Sequence, residues 1–341
     1  MYYTKRKIHE EGSVLLVVMI KDIAKVAGVT NVTVSRALNN EPGVSEQMRQ
    51  KIKAIAEQMN YVPSSAAKKV VPRQPKSLGL IWPQKKGVFF LDLGLEFQKE
   101  ASRRGLQVIL SMASPEEALR CFNQYGIDYV IFWRGGYWNP SLGFLQEKER
   151  FRGDMLLLGG WKAEHAHSIT IDKAGGFRQA VYHLQQLGHR RIVFVGQPEI
   201  DKYNGFMQGM AELKLDYKAD QVVDPKDPDF TRKLTELMQG GDKPTAMIAD
   251  SHGTLHNTTG LLRKLNIRIP DDLSLIVYDD TELQFFDIPL TTIGPSIREL
   301  TEKALDILTR DVRPGEEHVW EEIEIKSHLN VRSSTIPVTG V

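Results

Sequence analysis

The sequence predicts a small all-α headpiece of helix-turn-helix type followed by an α/β body with parallel sheets. Three observations predict this. The stretch Ile20 to Asn40, IKDIAKVAGVTNVTVSRALNN, carries apolar residues at helical spacing on either side of a glycine corner. From Ser77 onward, short apolar runs alternate with helical patterns. The charge is also divided: residues 1–76 hold 13 Lys+Arg against 6 Asp+Glu, a balance of +7, which leaves −6 for the remaining 265 residues of a chain with formal charge +1. A basic head on an acidic body is the footprint of a chain that meets phosphates at one end only.

In the headpiece, the first helix buries Ile23, Ala24 and Ala27, and Gly28-Val29 make the corner. Thr30 is placed to cap the second helix with its hydroxyl. That helix turns Val34, Ala37 and Leu38 inward, which leaves Asn31, Val32, Thr33, Ser35 and Arg36 outward. Asn, Thr and a forked Arg match base edges in the major groove, while Ser and Thr hydroxyls suit phosphates. Thr30, Asn31, Val32, Thr33, Ser35 and Arg36 are therefore the candidate DNA contacts. Helix pairs with a glycine corner also occur in proteins that never touch DNA, so the pattern alone leaves both readings open. After the turn cluster Asn39 to Gly43, Ser45 caps a third helix to about Asn60, with Met48, Ile52, Ile55, Ala56 and Met59 closing the core. Lys51 and Lys53 read as solvated charges.

The run IKDIAKVAGVT-VTVSRALNN, with VSEQMRQKIKAIAEQMNYVP after it, closely resembles the headpiece of the LacI/GalR (lactose repressor) family of bacterial transcription regulators. Family headpieces begin at a position that Met19-Ile20-Lys21-Asp22 matches. The resemblance implies that residues 64–70 form a hinge helix in the minor groove on DNA, so Lys68, Lys69 and Val70 join the DNA contacts. By composition alone the same segment reads as a tether. Val70 stands where the family usually has a leucine that wedges a base step, and valine is the shorter wedge.

In the body the apolar runs SLGLIWP, GLQVILS, DYVIFW, DMLLLGG, RRIVFVG, TAMIA and LSLIVYDD predict parallel strands covered on both faces. This part resembles the family's two-lobed, periplasmic-binding-protein-like effector domain through Phe89-Phe90, Gly188 to Ile192, Pro270 to Ser274, Tyr278-Asp279-Asp280, Pro289 to Ile293 and Leu329 to Thr335. The likeness spans about residues 19–336 and implies three crossings between lobes, near Ile171, Pro295 and Lys326. The expected organisation is an extension over 1–18, either a loose arm or a mis-assigned start, a headpiece over 19–63, and a hinge and linker over 64–76. The body follows over 77–341, with an N-lobe of about 77–171 and 295–326 and a C-lobe of about 172–294 and 327–341.

Ligands in open α/β folds sit beyond the carboxyl ends of strands. Phe89 matches a family position that stacks on the effector, and Asp279 one whose carboxylate takes ligand hydroxyls. Arg134 follows VIFW and Trp161 follows LLLGG, each serving equally as ligand contact or as structure. Lys202 stands where the family usually has arginine, and the helix after Asp250-Ser251-His252 is unusually polar through His256, Asn257, Thr258 and Thr259. These aromatics and charges suit a sugar or a sugar phosphate.

Hydrophobic residues at 41% and charged ones at 26% fit a soluble globular chain, and 341 residues suggest two or three domains. The lone Cys121 allows no internal disulfide, suits a reducing cytoplasm and reads as a buried small hydrophobe. The apolar run Val14 to Ile20 is not read as a signal peptide, because Glu10-Glu11 precede it and no small-residue cleavage site follows; no run is long enough to span a membrane. His165 and His167 lack a third metal ligand at useful spacing, and no phosphate loop, nucleophilic set or cofactor motif presents itself. The reading is thus a cytoplasmic, homodimeric regulator that binds palindromic operator DNA under control of a small ligand, without enzymatic activity or cofactor. The rival is a small-molecule-binding or enzymatic protein of the same fold with no operator function.

Overall fold

The computed structural model describes residues 20–59, 76–83, 87–134, 138–160, 162–198, 201–281, 287–310 and 319–338. The chain divides into two units, residues 1–72 and 73–341.

The first unit holds α1 (Ile20–Ala27), α2 (Asn31–Leu38) and α3 (Glu46–Gln58). Gly28 takes φ 71° at the corner, a region that costs a side chain with Cβ about 1–2 kcal/mol. Thr30 Oγ1 accepts from the Thr33 amide, and Ser45 Oγ from the Met48 amide, so α2 and α3 each begin on a hydroxyl cap. Ile23, Ala24, Ala27, Val34, Ala37, Ile52 and Ala56 form the core, with Leu38, Met48, Ile55 and Met59 at its margin.

The second unit contains two sheets, each of six strands among the described residues. The first is built from β1 (Ser77–Ile81), β2 (Gln107–Ser111), β3 (Tyr129–Trp133), β4 (Asp154–Leu158), β5 (His167–Asp172) and β11 (Glu322–Lys326), in the order β11-β5-β4-β3-β1-β2. The second uses β6 (Ile192–Val195), β7 (Val222–Val223), β8 (Ala246–Ala249), β9 (Ser274–Tyr278), β10 (Thr291–Gly294) and β12 (His328–Asn330), in the order β12-β10-β9-β8-β6-β7. Pairing is parallel throughout except between β10 and β12.

The first sheet packs one face on α4 (Val88–Arg103) and α11 (Ile297–Leu308), through Phe97, Leu93, Leu300 and Leu305. Its other face meets α5 (Pro115–Tyr125) and α6 (Leu142–Arg150), through Phe122, Leu119 and Phe144. The second sheet lies between α7 (Lys173–Gln186) with α8 (Asp201–Glu212) on one side and α9 (Phe230–Gln239) with α10 (His252–Lys264) on the other. Parallel strands need this double cover, because crossover helices fall on both faces. The chain leaves the first sheet after Asp172, returns after Gly294, and leaves again after Lys326. None of the described helices is long and apolar enough to cross a membrane.

Two sequence expectations fail. The run GLQVILS is a strand, β2, yet it sits at a sheet edge with Ile109 and Leu110 44% and 50% exposed, so the apolar run did not mean cover on both faces. Cys121 is exposed: α5 turns Ala118, Leu119 and Phe122 to the sheet, and residue 121 falls on the opposite side of the helix. Strands β5, β7, β10, β11 and β12 were not anticipated, since HSITID and EIEIK alternate polar with apolar residues, TTIG opens on two threonines, and VV and HLN are too short to stand out.

Candidate nucleic-acid interface and ligand cleft

On α2, burial of Val34 and Ala37 rotates the opposite side outward. Asn31, Val32 and Arg36 are exposed there; Thr33 and Ser35 are half-buried on its flanks. Successive turns bring residues 31, 32, 35 and 36 into one stripe. The Thr33 hydroxyl is engaged locally with Thr30 Oγ1 at 2.9 Å, and Ser35 Oγ receives Asn39 Nδ2 at 3.4 Å. The stripe thus offers an amide, an apolar side chain, a hydroxyl and a guanidinium fork, enough for hydrogen bonds and methyl contacts along a groove floor. Lys21 and Lys25 are exposed on α1, where they can meet phosphates. Lys53 is exposed, as read from sequence, and also donates to Asn40 Oδ1 at 2.8 Å. Lys68, Lys69 and Val70 lie outside the described residues.

In the body a cleft of about 760 Å³ opens between the two sheets' loop ends, within the range of small-ligand sites. One wall is the start of α4, Gly87 to Phe90, which follows β1. The other is Ser251 and the α10 face carrying His252, His256, Thr259 and Arg263, with Asp279 just past β9. Strand orders β2-β1-β3 and β7-β6-β8 both reverse direction beside these loops, where doubly wound sheets part to admit ligands.

Phe89 is buried at the cleft base, edge-on to Phe90 and Trp133 at 5.4 and 5.5 Å between centroids. Asp279 holds φ 87° and donates nothing but its amide, to Ile293 O at 2.9 Å. Desolvation pushes its carboxyl up to about 6, with Lys202 and Lys173 pulling it down and Asp250 pushing it up. Among the described residues none donates a hydrogen bond to that carboxylate. His252 lies beside it, buried, its ring against Thr281 Oγ1 at 3.1 Å. Burial brings its pKa down to about 4, so it is neutral at pH 7.

Of the other expected effector residues, Lys202 and Arg134 are not among the described residues that line the cleft. Lys202 Nζ donates to Asp250 O at 2.5 Å and lies 3.6 Å from the Tyr278 ring centroid. Arg134 donates through Nη2 to Trp138 O at 2.5 Å, with its guanidinium 5.9 Å from that ring, and burial lowers its pKa. Trp161 lies outside the described residues. His252, His256, Thr259 and Arg263 were missed as a set, although the polar character of this helix was visible: positions 252, 256, 259 and 263 recur at helical spacing on one face. His165 and His167 pack on Trp320, ring centroids 6.2 and 5.1 Å apart, and His167 Nδ1 accepts from the Glu321 amide.

Residues 19–64 match the family model described as bacterial regulatory proteins, lacI family, and residues 181–335 match a periplasmic binding protein-like domain. The chain belongs to the lacI family of bacterial regulatory proteins. It is similar to the HTH-type transcriptional repressor PurR of Haemophilus influenzae, 27% identical over 334 residues that cover 92% of this chain and 98% of that protein. Its fold is also that of a lac repressor dimer bound to operator and the anti-inducer ONPF, at 22% identity and TM-score 0.63, over 94% of this chain and 99% of the other. A complex of the transcriptional regulator CelR with cellobiose matches at 22% identity and TM-score 0.61, over 93% and 99%. As a lacI-family protein the chain is a DNA-binding transcription regulator.

Proposed function

We propose that this regulator is a cytoplasmic repressor that binds palindromic operator DNA as a homodimer, and that a small uncharged ring compound in the cleft, a sugar foremost, sets its affinity for DNA. The observation that carries the ligand reading is the Asp279 carboxylate, which faces the cleft with no described donor on it, beside the rings of Phe89 and Phe90. A ligand there donates O–H or N–H to Asp279 and lays its ring on the aromatic floor. Lys202 and Arg134, expected to neutralise a phosphate, donate to the Asp250 and Trp138 carbonyls, which leaves Arg263 as the cation on the described cleft wall. A phosphate next to Asp279 would meet like charge, so the free sugar is favoured over its phosphate. Cellobiose, the partner in the CelR complex, has this hydroxyl-rich, uncharged character.

Pairing of two copies is supported by apolar side chains left in solvent along α4 and β2: Leu91 and Leu95, with Ile109, Leu110 and Met112. A run of this kind along a sheet edge is a liability in a monomer and a surface for a second copy. Two headpieces then meet half-sites about one helical turn apart.

Selection from a random DNA pool is expected to return a palindrome bound with steep salt dependence. Thermal-shift screening against sugars, sugar phosphates and nucleobases is expected to score with an uncharged ring and to lose the signal in Asp279→Ala and Phe89→Ala. A ligand whose shift survives both substitutions would place the effector elsewhere, and a sugar phosphate binding more tightly than its parent sugar would reverse the charge argument.

A further inference from the structure

We infer that Arg49, on α3, is a positioning residue for base reading: its guanidinium fork fixes the end of α2 and the following turn, and thereby aims Arg36. Nη1 of Arg49 donates to Arg36 O at 3.2 Å and Ala37 O at 3.4 Å; Nη2 donates to Glu41 O at 2.9 Å and Val44 O at 3.4 Å. The side chain is only 12% exposed, and its Nε lies 3.4 Å from the Glu46 carboxylate. The last carbonyls of a helix have no partner within it, and they carry the negative end of its dipole. Here the Arg36 and Ala37 carbonyls accept from the Glu41 and Asn40 amides at 2.9 and 3.4 Å, and the one cation adds a charged donor to both and joins them to two more carbonyls in the turn that leads to α3.

The turn in its grip also bears on Arg36 directly. Gly43 has φ 96°, and a Cβ there would stand 3.3 Å from Arg36 Nη1. The backbone at residue 43 therefore lies under the very guanidinium that the outward stripe presents. Asn40, with φ 56°, is strapped to α3 by Lys53, which ties the same turn down a second time. An arginine is required for the fourfold contact, since its planar fork offers parallel N–H groups in fixed directions, whereas a lysine places one ammonium at one point.

The consequence is a specific kind of defect. Arg49→Lys keeps the charge, so binding that depends on phosphates alone is retained, while the angle of Arg36 to its base pair is loosened. Operator affinity is expected to fall about tenfold, the worth of roughly one hydrogen bond to a charged group. Affinity for random DNA at the same salt is expected to change less than about twofold, because it reads charge.

The test uses the full chain and its selected operator, with Arg49→Lys, Arg49→Gln, Arg36→Ala and the Arg49→Lys/Arg36→Ala double variant. Discrimination is measured between the operator and operators altered at each base pair. The expected result is that Arg49→Lys erodes discrimination at the one base pair per half-site that Arg36→Ala also erodes, and that the double variant is no worse there than Arg36→Ala alone. Hydrogen exchange of α1 and α3 amides reports on the fold of the head. Equal losses on operator and random DNA, additive effects in the double variant, or a head unfolded in both Arg49 variants would each overturn the positioning role. Failure to select any operator would instead count against the proposed operator function, so the two readings fail separately.

Discussion

At the scale of single residues, Arg36 and Asp279 bear the sharpest consequences. Arg36→Ala is expected to relax preference at one base pair in each half-site, at a cost of about 1–3 kcal/mol of discrimination, while Lys21→Ala and Lys25→Ala weaken all sequences alike. Binding assays on single-base operator variants check this. If Arg36→Ala weakens operator and random DNA equally, Arg36 reads no base. Asp279 makes a pH prediction. Its folded carboxyl titrates at about 6, above its ordinary 3.8, so its contribution to body stability is full below pH 3.8 and is lost as pH rises through 6. Asp279→Asn is therefore expected to stabilise the ligand-free body above pH 7, by about 1–2 kcal/mol after allowance for partial exposure, and to leave it unchanged near pH 4. Ligand affinity runs the other way, because the ionised acceptor is needed: it should fall as pH drops below 6. An affinity flat from pH 5 to 8 in calorimetry would remove Asp279 from the contact. His252 has the opposite sign: its folded pKa is about 4, so its contribution is full above pH 6.5 and is lost as pH falls through 4.

At the scale of elements, the headpiece depends on its caps. Thr30 and Ser45 each satisfy an otherwise orphan amide, and α1 and α2 are each only eight residues long, too short to persist without tertiary packing. Thr30→Ala and Ser45→Ala are each expected to cost about 1 kcal/mol of headpiece stability. Differential melting of the head against the body would show it, and a change confined to the body's transition would contradict the cap assignment. In the body, α10 is the element with the most to say about ligand choice. Leu262 packs in the core under the sheet while His256, Thr259 and Arg263 line the cleft, so substitutions at these three alter ligand preference without opening a core cavity.

At the scale of the whole molecule, occupancy and assembly are the measurable properties. A ligand present at 100 times its Kd stabilises the body by about 2.7 kcal/mol if it binds only the folded state. The exposed line on α4 and β2 makes assembly testable: Leu110→Glu is expected to shift the mass in light scattering from dimer to monomer at micromolar concentration. The melting temperature of the body should barely move, because Leu110 is half exposed in the single chain. An unchanged dimer would place the interface elsewhere. Three passages of the chain between the sheets give a ligand gripped by both walls a way to bias their arrangement.

Much of this was determined by the sequence itself. Helical spacing and a glycine corner specify α1 and α2, and hydroxyls at Thr30 and Ser45 specify the starts of α2 and α3, because local periodicity and capping are contained within a few residues. The seven apolar runs are all strands, since a strand covered on both faces must be apolar along its length. The converse does not hold, and β2 shows why: whether an apolar run is buried depends on what lies over it, and at a sheet edge nothing in the single chain does. The same dependence decided Cys121, whose side of α5 faces solvent, and the strands β5 and β11, whose polar positions are tolerated because of where they sit in the sheet. In the cleft, the family resemblance pointed to Phe89 and Asp279, which do line the opening, but neither resemblance nor adjacency to an apolar run could say where Lys202 and Arg134 would point. Those cations turned to the Asp250 and Trp138 carbonyls and nearby rings, partners 48 and 4 residues away in the chain. The direction of a long side chain is settled by the acceptors that the tertiary fold brings within reach, and the chain sequence carries no local record of them.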